Sequence, residues 1–251
     1  VRRAAVTALT ETRPHSEIAI PGLMQWLQHK DQGIVFSAAH ALGRMGPRAS
    51  EAIPRLLVTL NRTSQQEENR SIINALRRIG ADSTVALVEA FNDPEMDPDI
   101  LVNTLVRIGP STVALLTKSL HDDAVIVRRG AARALGDIGI SNDAMIRSLI
   151  TLLDDGDTNV RNATAQALGK FGPGAIAAVD RLEACLEDGQ PVVRASVVFA
   201  LSRVGMDPSQ LVPKLISALE DEASEVRKPA LDALLDLGPA SRDAVPALQL
   251  L

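Results

Sequence analysis

Apolar residues fall in blocks that recur at a nearly constant interval along the chain. The clearest block begins with Val-Arg and ends on a leucine seven residues after the arginine, with alanine directly before that leucine. Five segments have this form: Val1–Leu9, Val127–Leu135, Val160–Leu168, Val193–Leu201 and Val226–Leu234. Weaker copies occupy Ile34–Leu42, Glu68–Leu76 and Asp97–Leu105. The closing leucines are therefore spaced 33, 34, 29, 30, 33, 33 and 33 residues apart, and this regularity indicates an internal structural repeat.

Each repeat holds two helical patterns. A second series of large apolar residues has nearly the same period and usually precedes an acidic or polar turn: Leu27, Leu60, Phe91, Leu120, Leu153, Leu186 and Leu219. The apolar positions follow the period of a helix, and no segment alternates as a strand does. A glycine closes the second pattern of each repeat, as expected where a helix stops. These glycines are Gly46, Gly80, Gly109, Gly139, Gly172, Gly205 and Gly238.

The sequence therefore predicts an all-α fold, an α-solenoid of about seven and a half two-helix repeats of about 33 residues each. We expect a single solenoid domain over residues 1–251. The pattern begins inside a second helix at Val1 and stops inside a first helix at Leu251. We therefore expect the rest of a longer parent chain at both ends, with apolar residues exposed where those neighbours would pack.

The unit resembles a HEAT repeat of the compact bacterial type, related to the HEAT-like repeats of phycobilisome lyases. The matching features are the Val-Arg that opens the second helix, the Ala-Leu-Gly near its end (134–136 and 167–169), and a proline inside the first helix. Those prolines are Pro21, Pro54, Pro213 and Pro246. The resemblance implies an armadillo-type, right-handed superhelix whose second helices line the concave wall, where partners bind.

A helical wheel separates the packing face of the second helix from its charged positions. Counted from the closing leucine, positions 0, −1, −4 and −8 are mostly Ala, Leu, Val or Ile. The arginine at position −7 lies at the edge of this face. We expect it to pair with an acidic turn of the adjacent repeat, such as Asp155, Asp188 or Asp221, because a mostly buried guanidinium needs such partners. This Arg column comprises Arg2, Arg128, Arg161, Arg194 and Arg227.

Three consecutive repeats lack the Arg column. Val35, Asn69 and Pro98 occupy position −7 there, and the spacing falls to 29 and 30 residues nearby. Asp97 is expected to cap the following helix, with Pro98 at its first position. We expect these irregular repeats, at about residues 62–110, to be the least stable part of the array because their ties to neighbouring repeats are missing.

Positions −6, −2 and +2 point away from the packing face and are here termed the basic ridge. Ten basic and five acidic residues occupy them, so the ridge carries about +5 while the whole chain carries −5. A solvated charged face explains this most simply, and a groove for an acidic peptide, protein or polyanion is the functional alternative. The candidate partner-binding residues are Arg44, Arg70, Arg78, Arg107, Arg129, Arg133, Lys170, Arg203, Phe36, His40 and Phe199.

The sequence offers no candidate for catalysis or metal binding. The four histidines lie in different repeats, with no Glu or Cys at metal-ligand spacing. Cys185 precedes a core leucine and is expected to be a buried packing residue. No glycine-rich phosphate loop or nucleophile elbow is present. We therefore expect no enzyme activity, no metal and no cofactor.

These features favour a non-catalytic scaffold whose concave, locally basic groove holds a protein or peptide partner, with an acidic partner favoured. Two alternatives stay open: a bilin-lyase-like module that holds a tetrapyrrole, and binding of nucleic acid or another polyanion along the basic ridge. Aromatic residues make up only 2% of the chain, and its pI is near 5.4, which counts against both. No apolar run approaches the roughly 18 residues of a membrane span. We expect no membrane partner and a cytoplasmic location.

Overall fold

The computed structural model of the chain describes residues 18–63 and 69–245. These residues are mostly helical, and no β-strand occurs among them. The chain divides into two compact units, with the boundary between Leu115 and Leu116. Each unit is a stack of helix pairs, which confirms the predicted all-α solenoid. The expectation of a single domain over residues 1–251 stays a prediction.

Helices of the first unit alternate between first helices of a repeat, numbered odd, and second helices, numbered even. They are α1 Ile20–Trp26, α2 Gln32–Met45, α3 Ile53–Arg62, α4 Arg70–Ile79, α5 Ala81–Glu89 and α6 Pro98–Ile108. Short 3-10 segments, Gly46–Ala52, Ala90–Asn92 and Pro110–Thr112, connect or extend them. The second helix α4 contacts both α2 and α6. The closing leucines Leu42, Leu76 and Leu105 are fully buried, so they form the core of this unit.

The same alternation occurs in the second unit. Its helices are α8 Val125–Ile138, α9 Asp143–Leu152, α10 Thr158–Phe171, α11 Val179–Ala184, α12 Pro191–Arg203, α13 Pro208–Leu219 and α14 Ser224–Leu237, and α7, Val113–Ser119, contains the boundary. The second helices α8, α10, α12 and α14 pack side by side in that order. On α14, Leu235 is 65% exposed and Leu231 36%. Val245, which we expected to be exposed at this end, is 48% exposed, whereas residues 246–251 and residues 1–17 at the other end lie outside the described residues.

Glycines end the second helices where the sequence predicts. All seven predicted glycines have a positive φ, from 52° to 100°, a conformation that other residues rarely adopt. Two further glycines let second helices approach closely. A Cβ added at Gly136 would lie 2.8 Å from the Cα of Ala167, and one at Gly169 would lie 2.9 Å from the Cα of Ala200. Side chains do not tolerate such contacts, so α8, α10 and α12 pack backbone against backbone.

The Arg column ties consecutive repeats of the second unit together. Arg161 donates from Nε to Oδ2 of Asp188 at 2.7 Å and from Nη2 to Oδ1 at 3.1 Å. Its Nη1 also donates to the carbonyl oxygen of Asp155 at 2.8 Å, in the turn before its own helix. The same bidentate geometry joins two other pairs, Arg128–Asp155 and Arg194–Asp221. The predicted pairing with acidic turns is thus confirmed for three arginines.

The remaining members of the Arg column differ. In the described part of the chain, Arg227 donates only to the backbone carbonyls of Asp221 and Glu222, at 2.9 Å each. Arg2 lies outside the described residues. Arg227 therefore anchors its own helix to the preceding turn and makes no ion pair there.

Pairing lowers the pKa of the three aspartates. Burial alone would raise the pKa of Asp155 and Asp188, but hydrogen bonds from the partner arginines and from backbone amides outweigh it, and the net shift is downward. At Asp221 the hydrogen bond from Arg194 is the main cause of the lowered pKa. All three carboxylates are therefore held in their charged form.

Removal of one Arg–Asp ion pair should show how much that pair contributes to the free energy of unfolding. Arg161→Ala should lower the free energy of unfolding by about 1–3 kcal/mol, because it leaves the half-buried carboxylate of Asp188 without its bidentate partner. Arg227→Ala removes backbone hydrogen bonds only and should cost less. Arg147→Ala, at an exposed position on α9, should change stability by less than about 0.5 kcal/mol. Urea unfolding followed by circular dichroism measures all three. Equal losses of unfolding free energy for Arg161→Ala and Arg147→Ala would show that the Arg161–Asp188 ion pair does not stabilise the fold.

The lowered pKa values also predict how stability depends on pH. Since the folded pKa values lie below the unfolded value of about 3.9, these aspartates stabilise the fold above that pH, and the contribution is lost as the pH falls through the folded values. The free energy of unfolding should therefore decline below about pH 4. Asp188→Asn should be less stable at neutral pH and decline less steeply in acid. Urea titrations at a series of pH values test this, with Asp232→Asn, at an exposed position, as the control expected to keep the wild-type slope.

The first unit uses a different tie between its repeats. Asn61 on α3 donates to the carbonyl oxygen of Glu95 at 2.7 Å and accepts from the backbone N–H of Asp97 at 3.0 Å. Asp97 in turn caps α6 by accepting from the N–H of Asp99 at 2.8 Å, with Pro98 at the start of the helix, as predicted. A neutral carboxamide here stands in place of the ion pairs of the second unit.

Hydrogen exchange should reveal this difference in ties. Backbone amides within residues 62–100 should exchange faster than those of α8, α10 and α12, because exchange follows local opening and the three bidentate Arg–Asp pairs seen among the described residues all lie in the second unit. Exchange measured by mass spectrometry on the intact chain tests this. Equal protection of the two groups of amides would show that Asn61 and the apolar contacts compensate for the missing Arg column.

Candidate functional site

The basic ridge of the first unit lies on α2, α4 and α6. Five of its predicted residues are exposed: Arg44, Arg70, Arg78, Arg107 and His40. Phe36 is half-buried. The single acidic residue at the described ridge positions of this unit is Asp99. Four arginines against one aspartate make this surface cationic within an acidic chain.

Bases at position +2 also have a structural explanation. Arg44, Arg78 and Arg107 each lie in the last turn of a helix, as do Lys170 and Arg203. A cation near a helix C-terminus interacts favourably with the helix dipole, typically by about 0.3–1 kcal/mol. A basic residue at position +2 is therefore not by itself evidence of a binding surface. The contacts that each side chain makes show whether its charge is already compensated.

In the second unit, contacts with nearby side chains satisfy several charged residues of the basic ridge. Lys170 forms an ion pair with Asp137 on the neighbouring helix. The guanidinium of Arg203 lies 4.8 Å from the centre of the Phe199 ring, close enough for a cation–π interaction. Phe199 itself is half-buried. Lys170, Arg203 and Phe199 are therefore engaged mainly in contacts with other residues at ridge positions.

Two predicted residues of the second unit are less accessible than the helical wheel suggests. Arg129 and Arg133 on α8 are half-buried. The helical wheel therefore overstates the exposure of these two residues. Further along, Asp232 and Asp236 on α14 are exposed beside Lys228. The positive charge of the ridge is therefore concentrated in the first unit.

A polar cavity of about 580 Å³ opens between α4 and α6 in the first unit. Three ridge residues line it, Asp99, Asn103 and Arg107, so the cavity opens onto the basic ridge. Ile73 and Ile100 provide apolar wall. The other lining residues are Asn61, Thr63, Asn69, Asp97 and Thr104. The volume is within the range of ligand-binding pockets, about 300–1,000 Å³.

Departures from the repeat consensus coincide with this cavity. Thr63 and Asn69 occupy the positions held by the clamping Asp and Arg in the second unit, and they hydrogen-bond to each other. Thr104 stands at position −1, which is alanine in the other described repeats. The missing arginine is evident from the repeat pattern, but the pattern did not identify Thr63, Asn69, Asn103 and Thr104 as site residues. The available signal was that polar residues replace the consensus at several positions of one helix interface.

A second cavity, of about 620 Å³, lies between α12 and α14 in the second unit. Phe199 and Arg203 form one side of it, and Asp232 and Asp236 lie on the other. Because both signs of charge line it, this cavity lacks the cationic character of the first unit's ridge.

Reactive groups are not assembled into a catalytic or metal site in the part of the chain that the structure describes. No group of three or more His, Cys, Asp or Glu residues there could hold a metal ion. Cys185 is buried as expected, burial raises the pKa of its thiol, and its Sγ lies 3.9 Å from the carbonyl oxygen of Leu153. None of the described helices alone is long and apolar enough to span a membrane. The helix α6 and the segment Pro110–Ser119 reach that length and apolar composition only together, and the pair is bent where they join.

Solved structures with a similar fold are helical repeat proteins. The Kap95:Nup1 complex contains a chain that matches with a TM-score of 0.57 at 15% identity, covering 97% of this chain and 39% of that one. The complex of CpcE and CpcF of phycocyanin lyase from Nostoc sp. PCC7120 matches with a TM-score of 0.53 at 21% identity, covering 60% of this chain and 97% of that one. An engineered protein matches with a TM-score of 0.47 at 24% identity, covering 96% and 77% of the two chains. At these identities the likeness concerns the fold.

No curated protein matches the sequence significantly. The family model for HEAT repeats matches residues 1–77, 113–202 and 179–251. These matches span most of the chain and agree with the paired helices of both units. The chain belongs to the HEAT-repeat family.

Proposed function

We propose that this chain is a non-catalytic protein-binding scaffold and that the basic ridge of its first unit holds an acidic segment of the partner. HEAT repeats build helical scaffolds whose extended surfaces suit the binding of other chains. Kap95, which has a similar fold, occurs in a complex with Nup1. An enzymatic role has no support from the groups that line either cavity, since none of them is a buried, activated nucleophile or base.

The proposal rests on three arginines that have no ion-pair partner among the described residues. Arg44, Arg70 and Arg78 are exposed, and none of them forms an ion pair with another residue of the described chain. In a protein of net charge −5, such a cluster creates a local positive potential that attracts an anionic partner and fixes its orientation. Arg107 extends the same surface to the edge of the polar cavity.

Arg44 and Arg78 stand side by side. A Cβ added at Gly46 would lie 3.6 Å from the carbonyl oxygen of Arg78, so the ends of α2 and α4 are in contact. Second helices at the usual packing distance place equivalent side chains about 8–10 Å apart. Carboxylates two residues apart on an extended peptide are separated by about 6.5 Å, and flexible side chains close the remaining difference. An acidic segment can therefore engage both arginines at once.

A peptide suits this surface better than a uniform polyanion or a tetrapyrrole. The basic ridge reaches the cavity, where Asp97 and Asp99 lie. These carboxylates would repel the phosphates of a uniform polyanion, whereas a peptide can present a neutral residue there. A tetrapyrrole favours aromatic walls, and the aromatic residue on the first unit's ridge is the half-buried Phe36. The acidic peptide is therefore the favoured ligand.

Charge reversal at Arg44 and Arg78 tests the proposal. The double variant Arg44→Glu/Arg78→Glu should weaken binding of fluorescein-labelled decaglutamate by about 1–3 kcal/mol, because it removes two cations from the ridge and adds two anions. Fluorescence anisotropy at low and moderate salt gives the dissociation constants. Helicity should stay close to wild type, since both side chains are exposed.

A matched control separates the ridge from net charge. Arg55→Glu/Arg62→Glu reverses two exposed arginines on α3 in the same unit. Each reversal changes the charge by −2, so both double variants go from −5 to −9. The control should retain most of the affinity. If both double variants lose affinity equally, or neither does, the ridge is a solvated charged face. Tighter binding of single-stranded DNA than of decaglutamate would favour the polyanion alternative.

A further inference from the structure

Thr104 carries an unexplained polar group at the cavity of the first unit. Two other buried helical threonines satisfy their hydroxyls by donating to the carbonyl oxygen four residues earlier: Thr59 to Arg55 and Thr164 to Val160, each at 2.7 Å. Thr104 is 1% exposed, yet its Oγ1 has no hydrogen-bond partner within the described chain. A buried hydroxyl without a partner costs free energy, so its presence needs a reason other than packing.

The repeat itself shows that packing does not need this hydroxyl. Position −1 is alanine in each of the other described second helices: Ala41, Ala75, Ala134, Ala167, Ala200 and Ala233. Alanine at this position supports the close approach of neighbouring helices, as at Ala167 and Ala200. Thr104 is the exception and lines the cavity of about 580 Å³, whereas Ala233 keeps the alanine beside the second cavity. A local rule broken at a cavity is typical of a functional site.

Two polar side chains that line this cavity have no hydrogen-bond partner in the described part of the chain. Asn61 is occupied by Glu95 and Asp97, and Thr63 and Asn69 bond to each other. By contrast, Asn103 is exposed, and its carboxamide has no hydrogen-bond partner among residues 18–63 and 69–245. It lines the cavity next to Thr104.

The charges around these groups favour a neutral ligand. Asp97, Asp99 and Arg107 line the same cavity, so a cation meets the arginine and an anion meets two carboxylates. A carboxamide offers a donor and an acceptor without net charge, and it can pair reciprocally with another carboxamide through two hydrogen bonds. Asn103 provides such a partner, and the Thr104 hydroxyl can donate to or accept from the same ligand group.

We propose that the cavity between α4 and α6 is a specificity pocket that takes an asparagine or glutamine side chain of the partner segment, paired with Asn103 and Thr104. This inference rests on the proposed function, in which the neighbouring arginines hold the acidic residues of that segment. The ridge supplies attraction that depends little on sequence, and the pocket selects the position of one neutral residue. The partner segment is then an acidic peptide interrupted by a carboxamide.

Labelled peptides of glutamates with one central residue test the pocket on the intact chain. The peptide with central glutamine should bind about tenfold more tightly than the one with central alanine, as expected for one or two net hydrogen bonds. Thr104→Ala and Asn103→Ala should each reduce this ratio several-fold while leaving the affinity for the alanine peptide unchanged. Asn74→Ala is the matched control, because Asn74 holds the same position −2 on α4 but does not line the cavity, and it should keep the full ratio.

Thermal unfolding supplies a second readout. Thr104→Ala restores the repeat consensus and removes an unpartnered hydroxyl, so its Tm should equal or exceed that of wild type; a purely structural role predicts a lower Tm and an unchanged peptide ratio. Equal binding of both peptides to wild type overturns the pocket but leaves the scaffold proposal intact if Arg44→Glu/Arg78→Glu still weakens both. Failure of every acidic peptide to bind overturns both proposals.

Discussion

The ion pair between an arginine of one repeat and an aspartate of the next organises the second unit. A two-helix repeat cannot bury its apolar face alone and depends on its neighbours. Asp188 shows how one turn makes that connection: its carboxylate accepts from Arg161 of the preceding repeat and from the backbone N–H of Gln190, while its carbonyl oxygen accepts from Arg194. One residue thereby joins two repeats and begins a helix. Since these bonds have fixed directions, they set the register in which the apolar faces meet.

In the described part of the first unit, this Arg–Asp ion pair is missing, and other polar residues occupy the equivalent positions. Thr63 and Asn69 stand where the second unit has an aspartate and an arginine, but they bond to each other within one repeat, so Asn61 on α3 and apolar contacts make the connection to the next repeat. The polar cavity lies at this interface between α4 and α6. The lower stability that we predict for these repeats and the polar lining of the cavity thus have one origin. Sites that bind other molecules commonly occur where a fold gives up part of its own packing.

The sequence predicts the features of this protein that repeat and misses those that occur once. Helix pairing, the glycine ends and the partners of Arg128, Arg161 and Arg194 follow from regular spacing, because each recurrence samples the same local environment. The half-burial of Arg133 depends on side chains from other helices, which a helical wheel of one helix does not include. The open hydroxyl of Thr104 depends on the distance between two helices, and its only trace in the sequence is a threonine where the repeat has alanine.

Charge along the ridge is best judged from pairs of neighbouring helices. In the second unit, position +2 carries both signs of charge, and Asp137 pairs with Lys170. In the first unit, the adjacent helices α2 and α4 both place arginine at +2, so Arg44 and Arg78 repel each other. The helix dipole offsets part of that repulsion, by at most about 1 kcal/mol for each exposed arginine, but it does not neutralise the charge. An anion between the two arginines would relieve the repulsion and gain two ion pairs. The arrangement of Arg44 and Arg78 therefore supports the proposed binding of an acidic group, whereas Lys170 and Asp137 already neutralise each other.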